Sequence, residues 1–147
     1  MNYSTTLKAF VLNKLVDRIA GTVGTAGTAS LYFYNYAQPS SADTDTTSGS
    51  IGYINNIGWG TSGITAYATT SGTVGLAATS YLGTSCSSGT AVWGRFETIG
   101  VDYRGSAATF RIDGDVGTAA TNTIILSTVI FAAGKRISLG TAKFSIT

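Results

Sequence analysis

The sequence predicts a mainly β protein: an antiparallel, jelly-roll-like β-sandwich with one N-terminal amphipathic helix, in a single domain of residues 1–147. Three observations lead to this prediction. Short β-prone runs recur roughly every ten residues, with glycines between them. Residues 90–117 have the alternation of a complete hairpin, and only residues 4–20 have the spacing of a helix.

An apolar stripe runs along the predicted helix and consists of Leu7, Phe10, Val11, Leu15 and Ile19, widened by Leu12 and Val16. Ser4 or Thr5 is the expected N-cap, and Gly21 is the expected stop. We expect the stripe to pack against the open face or an end of the β domain. The alternative is that the helix docks on a neighbouring subunit.

The first predicted strand, residues 30–36, places Tyr32, Tyr34 and Tyr36 on one face. Either the helix or a loop covers this face, or a partner does, because tyrosine combines a large apolar body with a polar tip. Residues 38–50 contain the only proline, Pro39, among Ser, Thr and Asp, and are predicted to form a surface loop.

Further strands are predicted over residues 51–57, 64–70 and 73–82, and later over 123–131 and 135–147. In the last strand Ile137 and Leu139 occupy odd positions, whereas Phe144 and Ile146 occupy even ones. Side chains alternate between the two faces of a strand, so this change of parity predicts a β-bulge near Gly140.

The predicted hairpin separates an apolar face from a charged one. The apolar face comprises Val92, Gly94, Phe96, Phe110, Ile112, Gly114 and Val116, and the opposite face comprises Trp93, Arg95, Glu97, Arg111, Asp113 and Asp115. The opposite charges are expected to pair across the two strands as a solvated ladder. Residues 101–106 are the predicted turn.

Composition narrows the possible functions. Nine Lys and Arg against seven Asp and Glu give a net charge of +2 without a basic patch, so nucleic acid is not a predicted partner. No run approaches the roughly 18 apolar residues of a membrane span. Charged residues make up 11% of the chain against a typical quarter, and a surface so poor in charge is expected to assemble with other proteins.

The residues offer little for catalysis, and we predict no enzyme, cofactor or metal site. There is no His, and Cys86 is the only cysteine, which excludes an internal disulfide and the usual Cys/His metal clusters. Glu97 is the sole glutamate. It is expected to pair with arginine rather than to form an acid/base dyad with Asp113 or Asp115. The Asp43/Asp45 and Asp113/Asp115 pairs lack the downstream glutamate of a calcium loop.

Aromatic residues are the candidates for contact with a partner. Trp59, Tyr53, Tyr67, Tyr81 and Tyr103 allow a sugar-binding platform, although scattered aromatics of a β protein more commonly serve a core or an interface. The residues selected as possible interface residues are Tyr32, Tyr34, Tyr36, Tyr53, Trp59 and Tyr103.

The order of several motifs resembles that of a group of small structural proteins of tailed bacteriophages. The motifs are the N-terminal helix, Leu31-Tyr32-Phe33-Tyr34 followed by Gln38-Pro39-Ser40-Ser41-Ala42-Asp43, Trp93-Gly94-Arg95-Phe96, and Asp113-Gly114-Asp115-Val116-Gly117. Proteins of this group are typically encoded among head genes near the major capsid protein. This chain departs from their pattern at Asn35-Tyr36-Ala37, where a Ser-Gly turn is expected.

The resemblance implies a virion protein that is made in the host cytoplasm and decorates or cements the capsid exterior. Its expected partners are the major capsid protein or other virion proteins, and further copies of itself, with a trimer as one form. The alternatives are a tail or fibre subunit and a carbohydrate-binding or receptor-binding module. A phage hydrolase is disfavoured because the chain has no His.

Overall fold

The computed structural model describes residues 4–20, 29–44, 46, 49–57, 64–70, 73–78, 82–98 and 111–145. One helix precedes eleven strands in this part of the chain. They are α1 (Thr5–Ala20), β1 (Ala29–Tyr34), β2 (Gly52–Ile57), β3 (Ile64–Thr70), β4 (Thr73–Ala78), β5 (Leu82–Ser85), β6 (Gly89–Thr90), β7 (Trp93–Thr98), β8 (Arg111–Gly117), β9 (Ile124–Leu126), β10 (Ile130–Phe131) and β11 (Arg136–Ser145).

Seven strands form a closed, barrel-like sheet in the order β11-β5-β2-β1-β7-β8-β9, and β9 returns to β11. Their pairings are antiparallel except that of β8 with β9, which is parallel. Closure removes the free edges that an open sheet presents. The mainly β fold with an N-terminal helix is therefore confirmed, whereas the closed sheet is not specifically a jelly-roll sandwich.

The long strand β11 connects the closed sheet to a hairpin. Its first half, 136–138, pairs with β5, and its second half, 141–145, pairs with β4. Strand β3 pairs with β4 and is the outermost strand of this sheet in the described part of the chain. Strands β6 and β10 form a separate two-stranded sheet.

The interior of the closed sheet is apolar and draws on strands from all sides. Leu31 and Phe33 of β1, Phe96 of β7, and Phe144 of β11 are all buried in it. Phe96 and Phe144 pack edge to face with their ring centroids 5.3 Å apart. Burial of such side chains contributes about 1.5–3 kcal/mol each, so this interior is the main source of stability.

The predicted bulge near Gly140 is confirmed. Ile137 and Leu139 are buried before it, and Ala142 and Phe144 are buried after it. The pairing of β11 with β9 shifts register between Leu139 and Thr141, which is where the sequence changes parity. One extra residue thus keeps apolar side chains on the inner face along all of β11.

Several predicted boundaries differ from the observed ones. Of the predicted strand 73–82, the structure describes residues 73–78 as β4 and Leu82 as the start of β5, and residues 79–81 lie outside the described part of the chain. The predicted strand 123–131 is interrupted between β9 and β10. The strand 64–70 is observed as predicted. In the hairpin, β7 and β8 pair with Arg95 opposite Asp113, as the alternation requires. Val92, however, precedes β7 and is 46% exposed, so its assignment to the apolar face was wrong.

Helix α1 begins where predicted, but part of its predicted apolar stripe is exposed. The Ser4 hydroxyl accepts a hydrogen bond from the Leu7 amide at 3.3 Å, which caps the first turn. Leu12 is fully buried, whereas Phe10 is 59% exposed. Residues two apart on a helix point in nearly opposite directions, about 200° apart, so packing Leu12 turns Phe10 outward. The helix contacts the β domain, and Leu12 of the predicted stripe is buried there. The expectation that Leu7, Phe10 and Val11 pack on the β domain was wrong, and the side chains of Leu15, Val16 and Ile19 lie outside those that the structure describes.

Candidate functional site

The outer face of β1, β7 and β8, opposite the apolar interior, gathers most of the charged and aromatic residues singled out from the sequence. Register places Arg95 of β7 between Tyr32 of β1 and Asp113 of β8. One step along the sheet, Trp93 lies opposite Tyr34. Because side chains alternate along a strand, these residues share one surface, which we call the charged face.

Arg95 is the centre of the charged face and is only 1% exposed. Its Nε and one terminal nitrogen donate to the two carboxylate oxygens of Asp113 at 2.6 and 2.7 Å. The other terminal nitrogen donates to the Thr44 carbonyl at 2.8 Å. Burial alone lowers the pKa of Arg95, but the paired Asp113 outweighs it and raises that pKa above its ordinary value. Arg95 is therefore held charged.

The connection between β1 and β2 covers this face. Thr44 accepts the bond from Arg95, and the Thr46 side chain hydrogen-bonds the Tyr34 hydroxyl. The predicted surface loop thus acts as a lid over the sheet. It excludes solvent from charges that the sequence analysis expected to be solvated, and the expectation of a solvated ladder was wrong.

Glu97, the sole glutamate, is also buried, at 5% exposure, and lies opposite Arg111 in register. The Arg111 Nε is 3.8 Å from its carboxylate. Burial raises the pKa of Glu97, and the attraction of Arg111 and Arg95 only partly offsets this. Since Glu97 and Asp113 each face an arginine, the two carboxylates do not form the paired arrangement that acid/base catalysis uses.

Aromatic rings complete the charged face. Tyr34 stacks on Trp93 with centroids 4.2 Å apart and planes at 16°, and Tyr36 meets Trp93 edge-on at 5.7 Å. The guanidinium of Arg95 lies 5.4 Å from the Trp93 ring centre, within cation–π range. Burial, followed by the charge of Glu97, raises the pKa of Tyr34 to about 12. Tyr34 is therefore a buried, neutral phenol that stacks on the buried Trp93 ring.

The six predicted interface residues occupy different environments. Tyr34 is 4% exposed and packs within the molecule. Tyr32, Tyr36 and Tyr53 are half-buried, and Tyr32 and Tyr53 contact each other across β1 and β2 with centroids 6.3 Å apart. Trp59 and Tyr103, on which a sugar platform depends, lie outside the described residues, as do Tyr81 and the 101–106 turn. An interface role for these residues stays a prediction.

Asp115 lies at the end of the charged face and has a different structural role. Its carboxylate accepts hydrogen bonds from the Asn122 side chain at 2.7 Å and from the Thr123 amide at 3.1 Å. Desolvation raises its pKa, but these bonds outweigh that effect and the net pKa is lowered. Asp115 therefore fixes the turn between β8 and β9. Both carboxylates of the predicted Asp113/Asp115 pair are thus occupied by protein donors.

A second candidate surface is the exposed side of α1, where Leu7, Phe10 and Val11 were expected from the sequence to be buried. We call it the helix outer face, and it consists of Thr6, Leu7, Phe10, Val11 and Lys14. Leu7 is 45% and Val11 44% exposed. The Lys14 ammonium lies 5.9 Å from the Phe10 ring centre. This surface offers apolar area beside a positive charge, a combination suited to binding rather than to catalysis.

A third surface is formed where β6 and β10 meet, and sequence analysis did not identify it. Ile130 is 72% exposed and Val92 46% exposed. The Ala91 amide donates to the Val129 carbonyl at 2.8 Å, which brings the two segments together. Nothing in the sequence marks Ile130 as exposed, because it belongs to an apolar run, residues 129–133, that is typical of a buried strand.

Neither a metal site nor a membrane span is found in the described residues. No three His, Cys, Asp or Glu side chains of that part of the chain are close enough to hold a metal ion. Its one helix is too short and too polar to cross a bilayer.

No protein-family model, curated protein or solved structure matches this chain.

Proposed function

We propose that the chain is a non-enzymatic virion structural protein that binds the major capsid protein lattice of a tailed phage and decorates or cements it. Its place would be the capsid exterior. The phage assignment rests on the resemblance carried by the motifs around Tyr32, Pro39, Trp93 and Asp113. A jelly-roll-like β-sandwich remains the proposed fold, and the mainly β architecture of the described residues is compatible with it.

The observation that carries the proposal is the helix outer face. A chain with only 11% charged residues presents Leu7, Phe10 and Val11 to solvent along one side of α1. Large apolar side chains that are exposed together mark a contact surface. Lys14 beside Phe10 adds a positive charge, and no acidic residue stands in the first turn. The complementary partner is an apolar capsid surface edged with carboxylates.

The charged face supports a structural role in a second way. Its carboxylates, Glu97 and Asp113, are buried against arginines. A catalytic acid or base must reach its substrate, and these groups do not. Arg95, held by Asp113, instead fixes the β1–β2 connection on the sheet through the Thr44 carbonyl. The charged residues therefore stabilise the body that presents the helix.

The chain would cement the capsid by adding contact area at many identical sites of the lattice. A protein that binds across a joint between capsid subunits adds contacts that must break before the shell opens, so bound protein shifts the equilibrium toward the closed shell. Each added site on the lattice repeats this effect. A surface of a few exposed apolar side chains is sufficient where the lattice presents many identical sites.

The test is differential scanning calorimetry of purified capsids that lack the protein, with and without recombinant chain. We expect co-sedimentation with the capsids and a higher capsid melting temperature. Phe10→Asp should abolish both effects, because it places a carboxylate in the apolar contact. Ser138→Asp adds the same charge at an exposed position of β11 and should retain both.

Unchanged capsid melting without co-sedimentation would overturn the cement proposal. Binding to purified tails instead of capsids would favour a tail or fibre subunit. If the Phe10→Asp variant bound capsids like the wild type, the helix outer face would be excluded as the contact surface.

A further inference from the structure

A row of side chains crosses the outer surface of the closed sheet from β1 to β11, and we call it the tyrosine–arginine row. Register places Tyr32 of β1 opposite Tyr53 of β2. Thr84 of β5 then lies between Tyr53 and Arg136 of β11. The next residue along each of these strands is buried, so the row faces outward. Strands are about 4.8 Å apart, which makes the row about 14 Å long.

The row is accessible and has a shallow depression over β5. Thr84 and Arg136 are exposed, and the two tyrosines are half-buried. The rings of Tyr32 and Tyr53 lie with their centroids 6.3 Å apart and their planes at 47°. Side chains stand roughly perpendicular to a sheet, so the short Thr84 between the longer Tyr53 and Arg136 leaves room for a small ring.

Hydrogen-bonding groups border this depression. Asn55 is exposed, and its position two residues after Tyr53 places it on the same side of β2. Its side-chain oxygen accepts a bond from the Ser30 hydroxyl at 2.9 Å, so the amide nitrogen is the end that can donate to a ligand. The side chains of Thr84 and Arg136 have no hydrogen-bond or ion-pair partner among the residues that the structure describes.

The charge on this side of the closed sheet is positive. Strands β2, β5, β9 and β11 contain no Asp or Glu. Lys143 of β11 donates its ammonium to the Ala120 carbonyl at 2.8 Å, whereas Lys135 and Arg136 are exposed at the start of the strand. A ligand carboxylate at this end of the row would therefore meet two cations and no competing carboxylate from these strands.

These features together favour one class of ligand. A protein contact commonly involves large exposed apolar side chains, and none of those in the described residues belongs to this row. Nucleic acid requires several phosphate contacts, and the row offers two exposed cations. A sugar ring has an apolar face that suits tyrosine and hydroxyls that suit amide donors. A carboxylate on the sugar adds the bidentate partner of an arginine.

We propose that the tyrosine–arginine row binds an acidic oligosaccharide, whose sugars carry carboxylates. One sugar ring packs against Tyr53 above Thr84, and Asn55 donates to its hydroxyls. The carboxylate of the sugar pairs with the guanidinium of Arg136. The site uses none of the residues of the helix outer face, and the inference does not depend on the proposed capsid binding.

Isothermal titration calorimetry of the purified chain with tetragalacturonate tests the inference. The matched probe is the fully methyl-esterified tetramer, which has the same rings without the charges. We expect tetragalacturonate to bind with an affinity that falls as salt is raised, because an ion pair contributes. The ester should bind about tenfold more weakly, since it cannot form the charge-assisted pair.

Variants of the row locate the site. Arg136→Met should weaken binding of tetragalacturonate by about tenfold and abolish the preference over the ester, whereas Arg136→Lys should keep that preference. Tyr53→Ala should weaken binding of both probes by about fivefold, and Tyr53→Phe, which keeps the ring, should bind like the wild type. Lys14→Met removes an exposed cation of α1 and should also bind like the wild type. Urea denaturation establishes that each variant is folded.

A wild type that does not bind tetragalacturonate would overturn the inference. So would equal affinity for the acid and the ester, or tighter binding of single-stranded DNA than of the tetramer. Binding that survives unchanged in both Arg136→Met and Tyr53→Ala would show that the row is not the site. Because these measurements use the isolated chain, their failure leaves the capsid-melting result unaffected.

Discussion

The charged face buries charged side chains, whereas the helix outer face exposes apolar ones, which is the reverse of the usual distribution in a folded protein. On the charged face, Arg95 and Glu97 are 1% and 5% exposed. On the helix, Leu7 and Phe10 are 45% and 59% exposed. Both surfaces have the alternation or spacing that sequence analysis expects. The pattern therefore identifies which residues share a face but not whether that face is covered.

In both cases, contacts between distant parts of the chain determine whether the face is buried or exposed. Thr44 lies 51 positions from Arg95, and its carbonyl closes the charged face. On the helix, Leu12 enters the interior, whereas Leu7, Phe10 and Val11 of the same predicted stripe are exposed. A buried charge is tolerated because its partner is buried with it, whereas an exposed apolar face is retained when it has a contact to make.

Removal of Arg95 should have the largest effect on stability. Arg95→Met leaves the Asp113 carboxylate buried without its partner, and we expect a loss of about 3–5 kcal/mol in the free energy of unfolding, measured by urea denaturation. Arg136→Met, at an exposed position of β11, is the matched control and should cost less than about 0.5 kcal/mol.

The double variant Arg95→Met with Asp113→Leu sharpens this prediction. It replaces both members of the pair by apolar groups and should recover much of the loss. If Arg95→Met proved as stable as Arg136→Met, Arg95 would be solvated and the lid over the charged face would not exist.

Two leucines of α1 provide the next test, because they differ in burial and not in chemistry. Leu12→Ala should destabilise the protein by about 2–5 kcal/mol, since it leaves a cavity in the interior. Leu7→Ala should change stability by less than about 0.5 kcal/mol. Thermal and urea unfolding measure both. Equal losses for the two variants would show that Leu7 is buried to the same extent as Leu12.

The pH dependence of stability should reveal the burial of Glu97 as a smaller effect. Its folded pKa is raised above the ordinary value of 4.5. The folded state therefore holds this proton more tightly, and its contribution is fully present below pH 4.5 and is lost as the pH rises through the folded pKa. The wild type should lose stability relative to Glu97→Gln on going from pH 4.5 to neutrality.

Comparison with Glu97→Gln cancels the contributions of the other carboxylates to the pH dependence. Among these is Asp115, whose lowered pKa makes its contribution opposite in sign to that of Glu97. Urea denaturation of both proteins at several pH values gives the difference directly. A difference that is constant with pH would contradict a buried Glu97.

Local patterns in the sequence predicted much of the sheet. The alternation in residues 90–117 gave the pairing of Arg95 with Asp113, and the parity change between Leu139 and Phe144 located the bulge at Gly140. These features depend on neighbouring residues along one or two strands. The position of Ser4 likewise predicted the start of α1.

Long-range features could not be predicted in the same way. Closure of the sheet depends on β9 meeting both β8 and β11, and a strand of three residues has too little pattern to indicate two partners. The lid depends on one backbone carbonyl, Thr44, which carries no sequence signal. Exposure of Phe10 and Ile130 follows from these tertiary arrangements and not from their own neighbours.

Electron cryomicroscopy of capsids incubated with recombinant chain tests the central claim most directly, because it locates α1 relative to the shell. We expect density on the capsid exterior in which Phe10 and its neighbours on the helix outer face lie against the major capsid protein. Bare capsids, or bound protein that turns α1 toward solvent and meets the shell through another surface, would contradict it.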